Sequence, residues 1–183
     1  MSVLRTALSA GLIGLTLLLP DSPESPAGAA SSSVQGTDHE AITDMLEQLY
    51  LAFGFHPGAS FDEARFEEFF LDGASFVQPT SPDTPRAIDS LATFYSDFGG
   101  FVASARVQQH GIYEDILKLH CESAGDLAHA WVVFQPRYGD EPIQPFSRGL
   151  DSYQLVQVDG RWRVASTTLF ERPEHPLPER FVK

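Results

Sequence analysis

"RGLDSYQLVQVDGRW", Arg148 to Trp162, holds two runs of alternating apolar and polar residues around an Asp-Gly pair. Alternation marks a half-buried strand, and Asp-Gly between two such runs is a strong hairpin signal. With Asp159-Gly160 as a two-residue turn, Val158 faces Arg161 and the pairs run back with a constant index sum. Asp151 then lies opposite Thr168, Tyr153 opposite Ser166, Leu155 opposite Val164 and Gln157 opposite Trp162. That face carries both aromatics and is expected inside, whereas Ser152, Gln154, Arg163, Ala165 and Thr167 take the other. Asp151 is therefore a carboxylate on a core-facing surface. A solvated edge, a structural hydrogen bond to a backbone N–H or Thr168, and a catalytic acid each account for it. Desolvation there favours the neutral, proton-donating form, whereas an Arg137 reaching across would leave Asp151 ionised and paired.

Working outward, "RWRVASTTLFE" completes the hairpin, "AHAWVVFQPRY" supplies a strand, and "VASARVQQHGIYEDILKLHCES" reads as two more. Upstream the period changes to helical. Thr37 and Glu40 form a capping box for a helix whose apolar face is Ile42, Met45, Leu46, Leu49 and Phe53. A second box, Ser60 with Glu63, opens a helix carrying Phe66, Phe69 and Phe70, and "ASFVQP" is a short strand ended by Pro79. Thr84 caps a third helix, Pro85 fits its first position, Ile88, Leu91, Tyr95 and Phe98 line it, and Gly99-Gly100 stops it. Three helices followed by a run of antiparallel strands is an α+β pattern.

Composition narrows the rest. A chain of 183 residues with 43% hydrophobic content suits one domain with a sizeable core. A formal charge of −13, with Lys118 and Lys183 the only lysines, argues against nucleic acid and anionic lipid as partners. Arg5 precedes the apolar run "ALSAGLIGLTLLL", and small residues at Ala27 and Ala29 fit a signal peptide cleaved after Ala29 or Ala30. The run falls short of the roughly 20 apolar residues of a spanning helix, so no stable membrane anchor is expected. The expected layout is a signal peptide over 1–30, a disordered lead over 31–36, the folded domain over 37–172 and a Pro-rich tail over 173–183. Cys121 is the sole cysteine, which excludes an intrachain disulfide, and it reads as a small buried hydrophobe with no sequence sign of a base nearby. The sequence has no Asn and so no N-glycosylation site. The histidines show no metal-ligand spacing, and no phosphate-cradling or dinucleotide motif occurs, so neither metal nor cofactor is expected.

From Thr37 to Phe181 the chain resembles the nuclear transport factor 2-like superfamily, in particular its SnoaL-like bacterial branch. The resemblance rests on the helical entry through "LDGASFVQP", on "GDLAHAWVVF", and most of all on "RGLDSYQLVQVDGRWRVAS" with Gly149, Gln154, Asp159-Gly160 and Trp162. It implies three N-terminal helices packed on a strongly bent antiparallel sheet, a cone with a deep apolar pocket, and often a homodimer. It also implies a wide range of functions, from isomerases and dehydratases to plain binding modules.

In ketosteroid isomerases of this fold, an acid at the strand position of Asp151 helps a first-helix tyrosine stabilise an oxyanion, and Tyr50 sits at that place here. Their general base precedes the Pro that ends the first strand. Gln78 stands there instead and cannot take a proton. On "AHAWVVFQPR" either face could point inward. Aligning it with the family favours the face of His129, Trp131, Gln135 and Arg137, making His129 either a substitute base or a dimer-interface histidine. The candidate catalytic residues are Asp151, Tyr50 and His129, and the candidate ligand-binding residues are Phe53, Trp131, Gln135, Arg137, Tyr153 and Trp162. Two readings follow: an exported domain that binds a small apolar molecule in its cone, and a cofactor-free lyase or isomerase working by acid–base chemistry.

Overall fold

The computed structural model describes residues 31–78, 87–143, 148–170 and 179–182. The expected signal peptide, and the Thr84 cap with Pro85, lie outside those residues. Helix α1 spans Ser31–Ala52, α2 Glu63–Glu67, β1 Phe70–Gln78, β2 Ala87–Ser90, α3 Leu91–Val102 and α4 Ala105–His110. Strands β3 (Tyr113–Ala124), β4 (Leu127–Tyr138), β5 (Glu141–Pro142), β6 (Gly149–Val158) and β7 (Arg161–Phe170) follow, and a short α5 covers Glu179–Val182.

Several expected boundaries move. Residues 31–36, read as a disordered lead, are the first turns of α1, so Thr37 lies within the helix. Gly36 is the only breaker in that stretch, and one helical glycine costs only about 1 kcal/mol. Helix α2 is capped by Asp62, whose carboxylate accepts from the Ala64 N–H, and it ends before Phe69 and Phe70. Ser90 caps α3 by accepting from the Thr93 N–H. Gly99 and Gly100 are inside α3, where the absent side chain of Gly99 lets the Phe61 ring come close. "ARVQQH", read as strand, is α4. Among the described residues four helices thus precede β3 rather than three. The tail, expected to have no period, ends in the turn of helix α5.

The seven described strands form one curled, unclosed sheet in the order β2-β1-β7-β6-β4-β3, with β5 on β4. It is mixed rather than purely antiparallel, because β1 runs parallel to β7. Helices α3 and α4 and strands β2–β6 lie between those two strands in the chain, ample for the long crossover that parallel neighbours require. The Asp159-Gly160 turn stands as expected, both residues with positive φ (52° and 75°) as a tight hairpin turn demands.

Its register then slips. Leu155 pairs with Val164, but Gln154 pairs with Ser166, so Ala165 is an extra residue on β7. Beyond this bulge Asp151 lies opposite Leu169 and Tyr153 opposite Thr167, not opposite Thr168 and Ser166 as constant spacing implies. One inserted residue reverses the faces that follow it. Thr167 and Leu169 accordingly turn to the concave side.

The core lies between α1, α3 and that concave side. Phe94 stacks flat on Phe76, with centroids 4.1 Å apart, and Phe53, Phe66 and Phe98 join a continuous aromatic cluster. Edge and offset contacts of this kind add to the area buried. Gly149 permits the tightest approach. A Cβ there would stand 2.3 Å from Cζ of Phe134, whose ring lies across the β4–β6 pair. No described helix is long and apolar enough to cross a membrane.

Candidate functional site

The curl of the sheet leaves a cavity of about 460 Å³ under α1 and α3. Its walls are mostly aromatic, including Phe53 just past the end of α1, Phe94 and Phe98 of α3 and Phe134 of β4. Polar groups enter at a few points: Asp151 and Tyr153 from β6, Thr167 from β7, Glu114 from β3, and Asp97 from α3. An apolar hollow with a few converging polar groups is the usual form of a small-molecule site.

Asp151 is its chemical centre. The residue is 8% exposed, and no other charged residue among the described ones is as deeply buried. Tyr50 reaches down from α1 and donates its hydroxyl proton to Oδ2 of Asp151 at 2.5 Å, while Tyr153 donates to the same oxygen at 3.0 Å. The two phenol oxygens are 3.3 Å apart. Burial, then the negative charge of Asp151, holds both tyrosines well above the ordinary phenol range. Glu114 adds to the shift of each, so its charge is felt at the cluster. Both phenols therefore keep their protons and serve as donors.

Strand β4 reverses an expectation. Its concave face is Ala128, Ala130, Val132, Phe134 and Pro136, all buried, and Phe134, Pro136 and Tyr138 line the cavity. His129, Trp131, Gln135 and Arg137 project from the opposite side. Alternation allows either assignment. Bulk decides, because the small residues of β4 fit beneath α1 and the large polar ones do not. His129 Nε2 meets the Ser152 hydroxyl at 2.8 Å, and the His129 ring packs on Trp131 at 3.8 Å between centroids. Partial burial lowers its pKa, against an opposing pull from the Glu122 carboxylate. Arg137 does not reach Asp151. Its Nε donates to Asp115 at 2.6 Å, and a second N–H donates to the Gly139 carbonyl. Trp162 is buried in the core and is not among the cavity-lining residues.

Of the nine candidates, Asp151, Tyr153 and Phe53 line the cavity and Tyr50 joins them through Asp151, whereas the other five do not. Sequence reasoning missed Glu114 and Thr167. Glu114 could have been found by its period-two spacing from Ile112 and Ile116, whereas Thr167 was hidden by the bulge. It also missed a base beside Cys121, since His39 Nδ1 stands 3.0 Å from its sulfur. Burial pushes the thiol pKa up, so the pair favours the neutral thiol. No three His, Cys, Asp or Glu side chains among the described residues are grouped to hold a metal ion.

No protein-family model matches the chain, and no curated protein matches it in sequence. Solved structures do. A nuclear transport factor 2-like protein of unknown function from Silicibacter pomeroyi is 19% identical with a TM-score of 0.51, over 75% of this chain and 98% of its own. A candidate ketosteroid isomerase from Shewanella frigidimarina is 14% identical with a TM-score of 0.52, over 71% of this chain and 94% of its own. The association domain of C. elegans CaMKII is 13% identical with a TM-score of 0.56, over 75% and 98%. At such identities the likeness speaks to architecture, and with the mixed, curled sheet around a cavity it establishes that this chain has the nuclear transport factor 2-like fold.

Proposed function

We propose that the chain is an exported member of the SnoaL-like branch that holds a small, largely apolar molecule in its cone. The observation that carries this reading is the cavity of about 460 Å³ walled by phenylalanines, a size that suits a compact organic ligand. To test it, the purified protein is incubated with a lipid and metabolite extract, and retained molecules are identified by mass spectrometry after denaturation. A Thr167→Trp variant fills the cavity and serves as the control. A ligand retained by the parent and lost from the variant supports the reading, whereas equal retention sinks it.

A second reading is favoured by the Asp151 cluster. With Asp151 protonated, its O–H and the two phenols beside it supply donors suited to an oxyanion formed from a bound ketone. Glu114, a carboxylate in the same cavity, takes the role of proton acceptor that Gln78 cannot fill. In this lyase or isomerase reading Glu114 removes a C–H proton beside the carbonyl while the electron pair moves onto the carbonyl oxygen. Deuterium exchange into a bound cyclic ketone, lost in both Glu114→Gln and Asp151→Asn, is the expected result. No exchange above the buffer rate would leave binding alone.

Export and assembly complete the proposal. Exported material starts at Ala30 or Ser31 by intact mass, and a mass retaining Met1 to Ala29 would contradict this. Two copies pair through the convex sheet face around Ser152, Gln154, Val156 and Ala165. A monomer by light scattering at on the order of tens of micromolar would argue against that pairing.

A further inference from the structure

A largely enclosed cavity needs a way in. Of the described residues that line it, only Asp97 and Phe101 are exposed, and both belong to the C-terminal half of α3. That stretch is held at both ends. On its N-terminal side Phe94 and Tyr95 are buried and pack against Phe53 and Phe61. On its C-terminal side Val102 is buried, and its carbonyl accepts from the Gln108 side chain at 2.9 Å. Gly99 and Gly100 stand between these anchors. Packing accounts for the first, since a Cβ at Gly99 would come within 3.3 Å of the Phe61 ring. It does not account for the second. Gly100 is exposed, and a Cβ there would meet no described atom within 4 Å. Glycine is the poorest helix former after proline, so two in succession make this the turn of α3 that unwinds most readily.

We propose that the turn from Asp97 to Phe101 is the gate of the cavity. It unwinds at Gly99-Gly100 while its flanks stay packed, and Phe101 swings aside to let the ligand pass. A few residues that absorb the backbone change between fixed ends are the usual form of such a device. This inference rests on the binding reading above and adds how the site is reached. The test separates the two. Stopped-flow fluorescence of the neutral dye N-phenyl-1-naphthylamine gives its association and dissociation rates, and their ratio gives Kd. Gly100→Ala has room for its methyl group and favours the helix, so the unwound turn should become roughly fivefold rarer. Association and dissociation should both slow by about that factor with Kd little changed, because a gate alters the path and not the end states. Hydrogen exchange at the Phe101 amide should slow in parallel. Phe101→Ala removes the door and should raise both rates. Rates unmoved by Gly100→Ala although the Phe101 amide exchanges more slowly, or rates that do not rise in Phe101→Ala, overturn the gate while leaving the binding reading intact. An amide that exchanges no more slowly in Gly100→Ala overturns the hinge on which the gate depends. Failure of the dye to bind the parent protein overturns the binding reading and this inference with it.

Discussion

The two faces of β4 differ more than their sequences suggest. The concave face, Ala128 to Pro136, is almost wholly apolar, yet it borders the cavity and stands beside the buried carboxylate of Asp151. The convex face carries His129, Trp131, Gln135 and Arg137, which look far more like catalytic equipment. There, however, the His129–Ser152 pair lies on the outer surface of the sheet, away from the cavity. Reactive residue types do not make a site unless the backbone curves around them.

The strongest way to break this comparison is to exchange neighbours across the faces. Phe134→Ala removes a side chain that is 1% exposed and should cost about 3–5 kcal/mol in denaturant unfolding, whereas Gln135→Ala should stay within about 0.5 kcal/mol. Similar losses for the two would mean the faces are wrongly assigned. Next in size, Tyr50→Phe and Asp151→Asn should each cost about 1–3 kcal/mol, the range for an unsatisfied buried polar group. A larger loss, about 3–5 kcal/mol for Asp151→Asn, would signal a buried ion pair, in which Arg137 is not the partner because it is held by Asp115.

The same cluster sets an alkaline limit. The unfolded phenols ionise near 10.0 while the folded ones hold their protons, so the folded state binds more protons there. Stability should be intact below pH 10 and fall as pH rises above it, less steeply in Tyr50→Phe. Chemical denaturation across that range reads the slope directly. Smaller effects belong to the convex face. Arg137→Gln should lose no more than about 1 kcal/mol, since its ion pair with Asp115 is partly exposed. His129 has a folded pKa below 6.5, so its contribution is complete above pH 6.5 and is lost as pH falls. His129→Gln should flatten that acid limb, and an unchanged limb would place the titrating group elsewhere.

Much of the fold is legible because its signals are local. Alternation and Asp159-Gly160 mark the hairpin, and the inward orientation of Asp151 and Tyr153 follows from strand period alone. The spacing of Leu46, Leu49 and Phe53 likewise gives the buried side of α1. What escapes local reading are choices made by packing. The bulge at Ala165 leaves no mark in composition, yet it decides that Thr167 rather than Ser166 lines the cavity. The facing of β4 depends on what lies above it, and the extent of α3 depends on Phe61 crossing Gly99. The parallel pairing of β1 with β7 joins segments on opposite sides of all the intervening elements, which no short window can reveal.

That bulge also bears on how such a pocket can change. Deletion of Ala165 would close the bulge and leave Thr167 opposite Tyr153 and Leu169 opposite Asp151, so that wall would keep its residues. A chain that kept Ala165 but paired it in a regular ladder would instead bring Ser166 and Thr168 to the cavity in place of Thr167 and Leu169, making that wall fully hydroxylated. The choice between a bulged and a regular ladder therefore exchanges a whole wall at once, where substitutions change it one side chain at a time.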